Sequence, residues 1–138
     1  MRATRDPMPA SRTALRRNRG LKARQTGRAA EALAALWLMV RGYRILAFRS
    51  RTHGVEIDLL ARRGGVLAVV EVKARGSLAE AMEAVTPVQQ ARLRRAAEAV
   101  CGRPGFEGLS VRLDLMALAP GRWPRHVPNA WPDSWPAS

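Results

Sequence analysis

Val55-Glu56-Ile57-Asp58-Leu59-Leu60-Ala61 and, a little further on, Val69-Val70-Glu71-Val72-Lys73 set acidic residues inside apolar, β-branched segments. A carboxylate in such surroundings is costly unless something compensates it. Two neighbouring strands that aim carboxylates at each other add like-charge repulsion. A bound divalent cation is the usual remedy. The pair of runs therefore points to a metal-assisted hydrolase rather than an inert scaffold.

Both runs have the composition of strands, and Arg62-Arg63-Gly64-Gly65 between them has hairpin length and chemistry. A loop over those residues sets Glu56 opposite Glu71 and Asp58 opposite Val69. Asp58 and Glu71 are then diagonal neighbours on one face, within roughly 7 Å, and Lys73 joins them. The other face carries Val55, Ile57, Leu59, Ala61, Val66, Ala68, Val70 and Val72 and must meet the core.

Outward from the hairpin, Thr26 can cap a helix running to about Arg41, with Leu33, Leu36, Trp37 and Val40 as its expected buried stripe. Gly42 stands where a left-handed C-terminal cap belongs. Tyr43 to Arg49 reads as a strand and Arg51-Thr52-His53-Gly54 as a turn. Ser77 with Glu80 starts a short helix towards Ala84. Thr86-Pro87-Val88-Gln89 starts a longer one to Cys101, ended by Gly102. Its Leu93, Ala96 and Val100 are expected to pack on the sheet. Val111 to Leu118 is a last strand, and the connection from Lys73 is long enough for a parallel crossover. The order of helix, three strands, helices and strand predicts an α/β fold, a mixed central sheet flanked by helices.

The 138 residues suit one compact domain. Three parts are expected: a basic arm over 1–25, disordered alone, a domain over 26–119, and a tail over 120–138 rich in Pro and Trp. The tail's tryptophans are expected to cover apolar surface. No apolar run approaches the ~20 residues of a membrane span. The single cysteine, Cys101, rules out an intramolecular disulfide and the Cys-rich zinc patterns, which makes a reducing cytoplasm the expected compartment. Net charge is +13, from 24 Lys+Arg against 11 Asp+Glu. The arm carries +7 of this, so the remainder is basic in its own right. Nucleic acid is the expected partner, with DNA favoured and no membrane.

The ordered set of Glu31 on the first helix, Glu56-x-Asp58 on one strand and Glu71-x-Lys73 on the next resembles the PD-(D/E)XK nucleases, and within them the archaeal Holliday-junction resolvases. The chain is more closely similar to the YraN family of bacterial proteins. That resemblance is carried by Gly27…Glu31, Gly42-Tyr43-Arg44-Ile45-Leu46, Val55 to Ala61, Val70-Glu71-Val72-Lys73-Ala74-Arg75, Arg112-Leu113-Asp114-Leu115 and His126-Val127-Pro128-Asn129-Ala130-Trp131. Three positions depart from the family pattern: Val55 stands for a glycine, Arg49 for an asparagine and Gln89 for a lysine.

The resemblance implies a restriction-endonuclease-like core and phosphodiester hydrolysis. Asp58 and Glu71 would ligate Mg²⁺ or Mn²⁺ with help from the Val72 carbonyl. Glu31 would hold a water or a second ion. Lys73 would position the attacking water or stabilise charge on the phosphate. Glu56 is either an outer acid supporting the site or a strand-edge charge. Arg51, Arg75 and Arg92 are candidate phosphate contacts. Resolvase-like enzymes act as symmetric dimers, which extends a homodimer to this chain by analogy. The competing readings are a plain Glu71–Lys73 salt bridge on a solvated strand face and a nucleic-acid-binding module that keeps the fold without turnover. Asp114 is expected to pair with an arginine, and His53 to be a turn residue.

Overall fold

The computed structural model describes residues 27–132. The basic arm over 1–25, the Thr26 cap and Trp135 lie outside the described residues. Helix α1 covers 27–40. Strands β1 (Arg44–Thr52), β2 (Val55–Arg63) and β3 (Val66–Ala74) follow, then helices α2 (Leu78–Glu83) and α3 (Pro87–Cys101), and strands β4 (Ser110–Leu118) and β5 (Arg125–Val127). The five strands lie in sequence order in one sheet. All neighbours are antiparallel except β3 and β4, which run parallel as the long crossover through α2 and α3 requires.

The fold is α/β, a mixed five-stranded sheet flanked by helices and compatible with a restriction-endonuclease-like fold. Each face of the sheet has its own core. On one side Leu60, Leu67, Val69, Leu113 and Leu115 meet Leu93, Ala96, Ala97 and Val100 of α3. On the other, Leu59, Ala61, Ala68, Val70 and Met116 meet Ala34, Ala35 and Leu38 of α1. Both helices of the crossover start as their sequences require. The Ser77 hydroxyl accepts from Glu80 N, and Thr86 and Gln89 form a reciprocal capping box with Pro87 at the first turn. Gly42 ends α1 at φ 91, the left-handed geometry expected of it.

Several expectations are corrected. The buried stripe of α1 is Ala34, Ala35 and Leu38, whereas Leu33, Leu36 and Val40 are exposed at 47%, 57% and 79%. The sheet beneath offers small residues, Ala61 and Ala68, and a helix face of alanines approaches it closely. Bulk on that face would hold the helix away. Trp37 instead lies at the helix flank, 5.7 Å in ring-centroid distance from Trp123 and under the Arg41 guanidinium at 4.6 Å.

Strand β1 runs on to Thr52, so the β1–β2 turn is only His53-Gly54, at φ 51 and 72. Both central residues are left-handed, as a tight two-residue hairpin demands. Likewise β2 extends to Arg63, and Gly64-Gly65 alone turns the chain, with Gly64 at φ 58. The β2–β3 register is therefore shifted by two residues from expectation, with Leu60 opposite Val69 and Leu59 opposite Val70. A two-residue shift leaves every side chain on its face. It also leaves Asp58 and Glu71 just beyond the last paired rung, Leu59–Val70.

A fifth strand, β5, was not anticipated. It pairs with β4 through Leu115–Val127 and Met116–His126. The segment beyond Ala119 thus returns to the sheet, and Ala130 and Trp131 are buried in the α3-side core. Trp131 covers apolar surface as expected, but Trp123 is 81% exposed. The prolines of this stretch punctuate it without preventing a three-residue edge strand.

Candidate active site

The β2–β3 ladder stops at Leu59–Val70. Beyond that level Asp58 contributes its side chain instead of its backbone: Val72 N donates to Asp58 Oδ2 at 2.9 Å. The neighbouring β1–β2 ladder pairs Phe48 with Leu59 and Ser50 with Ile57. Between those rungs Arg49 takes φ 51, a left-handed conformation inside a strand and a local strain. Ile57 belongs to the α3-side core while Leu59 faces α1, so the alternation of β2 breaks at Asp58. The kink in two adjacent strands parts β2 from β3, and the acids gather where they part. The expectation of a wholly apolar Val55–Ile57–Leu59–Ala61 face fails at this kink.

One cavity of about 410 Å³ is lined by Glu31, Asp58, Glu71 and Lys73, together with Val72, Arg75 and Gly27. The four residues expected to act together therefore meet in one place. Asp58 and Glu71 line this cavity together and perturb each other's ionisation. Burial and the facing Asp58 charge push the Glu71 carboxyl up to about 8, with Lys73 opposing. Burial also raises Asp58, against the Val72 N–H bond and the Lys73 charge. At neutral pH the pair thus holds a proton between them in the absence of a cation. Lys73 Nζ stands 3.3 Å from Glu71 Oε1.

Glu31 enters from α1, 8% exposed, and Arg49 Nη2 approaches its Oε2 at 2.7 Å. The contact is an ion pair without hydrogen-bond alignment, and Oε2 has no hydrogen-bond donor. Burial raises the Glu31 carboxyl, and Arg49 offsets part of that rise. The strained backbone of Arg49 is what aims its guanidinium at Glu31. Residue reading missed this partner, because nothing in the local sequence marks Arg49 as left-handed.

Among the described residues no three His, Cys, Asp or Glu side chains form a ready-made metal cluster. Asp58, Glu71 and Glu31 share the cavity, and Glu31 is held by Arg49. Two half-buried carboxylates, with space for water beside them, are a hard-oxygen donor set that fits Mg²⁺ or Mn²⁺, ions that keep several waters.

The remaining residues singled out lie around this centre. Arg75 is exposed and lines the same cavity, its main-chain N–H donating to Leu118 O at 2.9 Å. Arg51 is exposed on β1 opposite Glu56, and Glu56 is exposed rather than facing Glu71. Glu56 and Arg92 line a separate groove on the α3 side, and Glu71 forms part of its wall as well. Chemistry is therefore not confined to one face, because Glu71 borders cavities on both.

Asp114 pairs with Arg112 as expected, but its surroundings are richer. It is fully buried and takes Arg112 Nε and Nη2, His126 Nε2 and Asn129 N, at 2.7 to 3.0 Å. Arg112 Nη2 also donates to Tyr43 Oη at 2.7 Å. This network ties β5 and the start of β1 to β4.

Fold and site together define an α/β protein with a restriction-endonuclease-like sheet and a split between β2 and β3 that gathers acids. Residues 30–118 match the model of the uncharacterised protein family UPF0102, the YraN family, and the chain belongs to it. It is 60% identical to a UPF0102 protein of Caulobacter sp. strain K31 over 129 residues, 93% of each chain. A UPF0102 protein of Caulobacter vibrioides strain NA1000 is 59% identical over 85% of this chain and 94% of its own. One from Rhizobium meliloti strain 1021 is 54% identical over 82% and 93%. Among the described residues no helix is long and apolar enough to cross a membrane.

Proposed function

We propose that this protein is a divalent-metal-dependent endonuclease, resolvase-like, that hydrolyses phosphodiester bonds of cytoplasmic DNA in repair or recombination. The observation that carries the reading is the convergence of Glu31, Asp58, Glu71 and Lys73 in one cavity at the parting of two strands. The charge balance supports nucleic acid as substrate, since the chain is +13 overall.

Asp58 and Glu71, with the Val72 carbonyl, are the residues that would hold Mg²⁺ or Mn²⁺. When bound, the ion supplies Lewis-acid polarisation of the phosphate and a more acidic water. As a ligand Glu71 would be ionised, its proton passing to solvent, and would then form a full charge pair with Lys73. Lys73 Nζ then donates to the attacking water or to a phosphate oxygen, placing positive charge where negative charge develops. Glu31, on the cavity wall and held by Arg49, would accept from that water and orient it. Arg75 and Arg51 contact flanking phosphates and fix the register of the strand. Incubation of the purified protein with branched and linear DNA tests the reading. Cleavage is expected with Mn²⁺, and EDTA or Asp58→Ala is expected to remove it. Cleavage that persists in either case overturns the mechanism.

One observation favours a second reading, a nucleic-acid-binding module without turnover. Glu31–Arg49 and Glu71–Lys73 already compensate the acids without any ion. That reading expects salt-sensitive DNA binding unaffected by Glu71→Gln and no cleavage under any metal.

A further inference from the structure

We propose that the groove between the β1–β2 turn and α3 seats an unpaired nucleobase of the bound strand, next to the phosphodiester in the acidic cavity. The inference rests on the nucleic-acid reading above and names the feature of the substrate that this protein selects. The groove has a volume of about 990 Å³, within the roughly 300–1,000 Å³ of small-molecule pockets. Its walls are apolar where a flat ring would lie, from Val55 on one side and Val85, Leu93 and Ala99 on the other.

The charges arrange themselves around that floor. Arg92 and Arg95 are exposed on α3, three residues apart on one helix face, where they reach phosphates at the groove mouth. Glu56 and Glu71 stand in the wall. Carboxylates there repel a phosphate but accept from the exocyclic amino group of a base. The base therefore occupies the groove and its phosphates the arginine rim, not the reverse. Glu71 is the link, because it also lines the acidic cavity. A strand whose base enters the groove brings its own backbone to the cavity mouth. Paired bases are stacked inside the duplex and cannot enter without the cost of flipping. Branch points, flaps and mismatches offer the base without that cost.

The test is binding of the full-length protein, in EDTA, to three labelled probes. One is a forked DNA with 2-aminopurine unpaired at the fork, one the same fork with an abasic site there, and one a duplex with 2-aminopurine paired. Expected are a several-fold change in 2-aminopurine emission on the fork alone, and a loss of affinity of roughly 5- to 100-fold for the abasic fork, the range of stacking one base. Ala99→Trp, which fills the groove, is expected to bring base-containing and abasic forks within about twofold. Unchanged emission at saturation, equal affinity for the two wild-type forks, or a difference that survives Ala99→Trp overturns the groove assignment. Because no metal is present, failure of cleavage leaves this result standing. Conversely, Mn²⁺-dependent cleavage indifferent to the base removes the groove and keeps the nuclease.

Discussion

Asp114, fully buried, and the half-buried Asp58–Glu71 pair are acids on the same central sheet, and they are treated in opposite ways. Burial alone would raise Asp114, but hydrogen bonds from His126, Arg112 and Asn129 pull its carboxyl below the ordinary value. Burial likewise raises Glu71 and Asp58, and there the donors fall short: the Asp58 charge raises Glu71 further, and Asp58 stays raised despite the Val72 N–H. Asp114 is fully enclosed and saturated with donors, which suits a strut. The other pair lines a cavity and carries unresolved repulsion, which suits a site awaiting a cation. Burial of an acid is thus not a functional signal in itself; what decides is whether protein donors already neutralise it.

The contrast can be broken most forcefully at the strut. Asp114→Ala leaves the Arg112 charge and the His126 ring without their acceptor. It is expected to destabilise the fold by about 3–5 kcal/mol, the size of breaking a buried ion pair on one side. Urea unfolding measures this, and a loss below about 1 kcal/mol would remove Asp114 from its structural role. At the pair, Asp58→Ala is expected to cut Mn²⁺-dependent cleavage by about 10²–10³-fold with little loss of fold, read by single-turnover kinetics beside thermal melting.

The two sites also oppose each other in pH. Glu71 has a raised folded-state value, from 4.5 to about 8. The stability it contributes is full below its unfolded value and is lost as pH rises through about 8. Asp114 has a lowered value, so its contribution is present above its unfolded 3.8 and is lost as pH falls through the folded one. Between pH 5 and 9 the metal-free Glu71→Gln variant is therefore expected to gain on the wild type, by about 1 kcal/mol at the alkaline end. Urea midpoints across that range would show it, and parallel curves would sink the assignment. By the same shift, Mn²⁺ binding at pH 7 is expected to release about one proton, measured by calorimetry in buffers of different ionisation enthalpy. The smallest effect is expected at Trp123→Ala. Its ring is 81% exposed and meets Trp37 only at a tilt of 34°, so a change within about 0.5 kcal/mol is expected.

Much of the architecture was legible from local chemistry. Reciprocal capping by Thr86 and Gln89, the stop at Gly42 and the strand character of the acidic runs depend on residues within a few positions of one another. The acids could be placed on one hairpin because their two strands adjoin in the sequence, although the period of two holds only from Leu59 onward and breaks at Asp58. The register itself was misjudged because Arg62 and Arg63 look like loop residues. Their partners Leu67 and Val66 draw them into the ladder. The stripe of α1 was misjudged for a related reason: two apolar faces compete on that helix, and size matching to Ala61 and Ala68 chose the alanines.

Element types, their caps and the presence of four chemistry-bearing side chains near one hairpin follow from the order of residues, because short-range sterics and hydrogen bonding set them. The kink at Arg49 and Asp58, the capture of Glu31 by Arg49, the return of β5 and the saturation of Asp114 by His126 exist only once distant segments pack. Their energies come from contacts between residues far apart in the chain, and a pattern of neighbours carries no record of those distances.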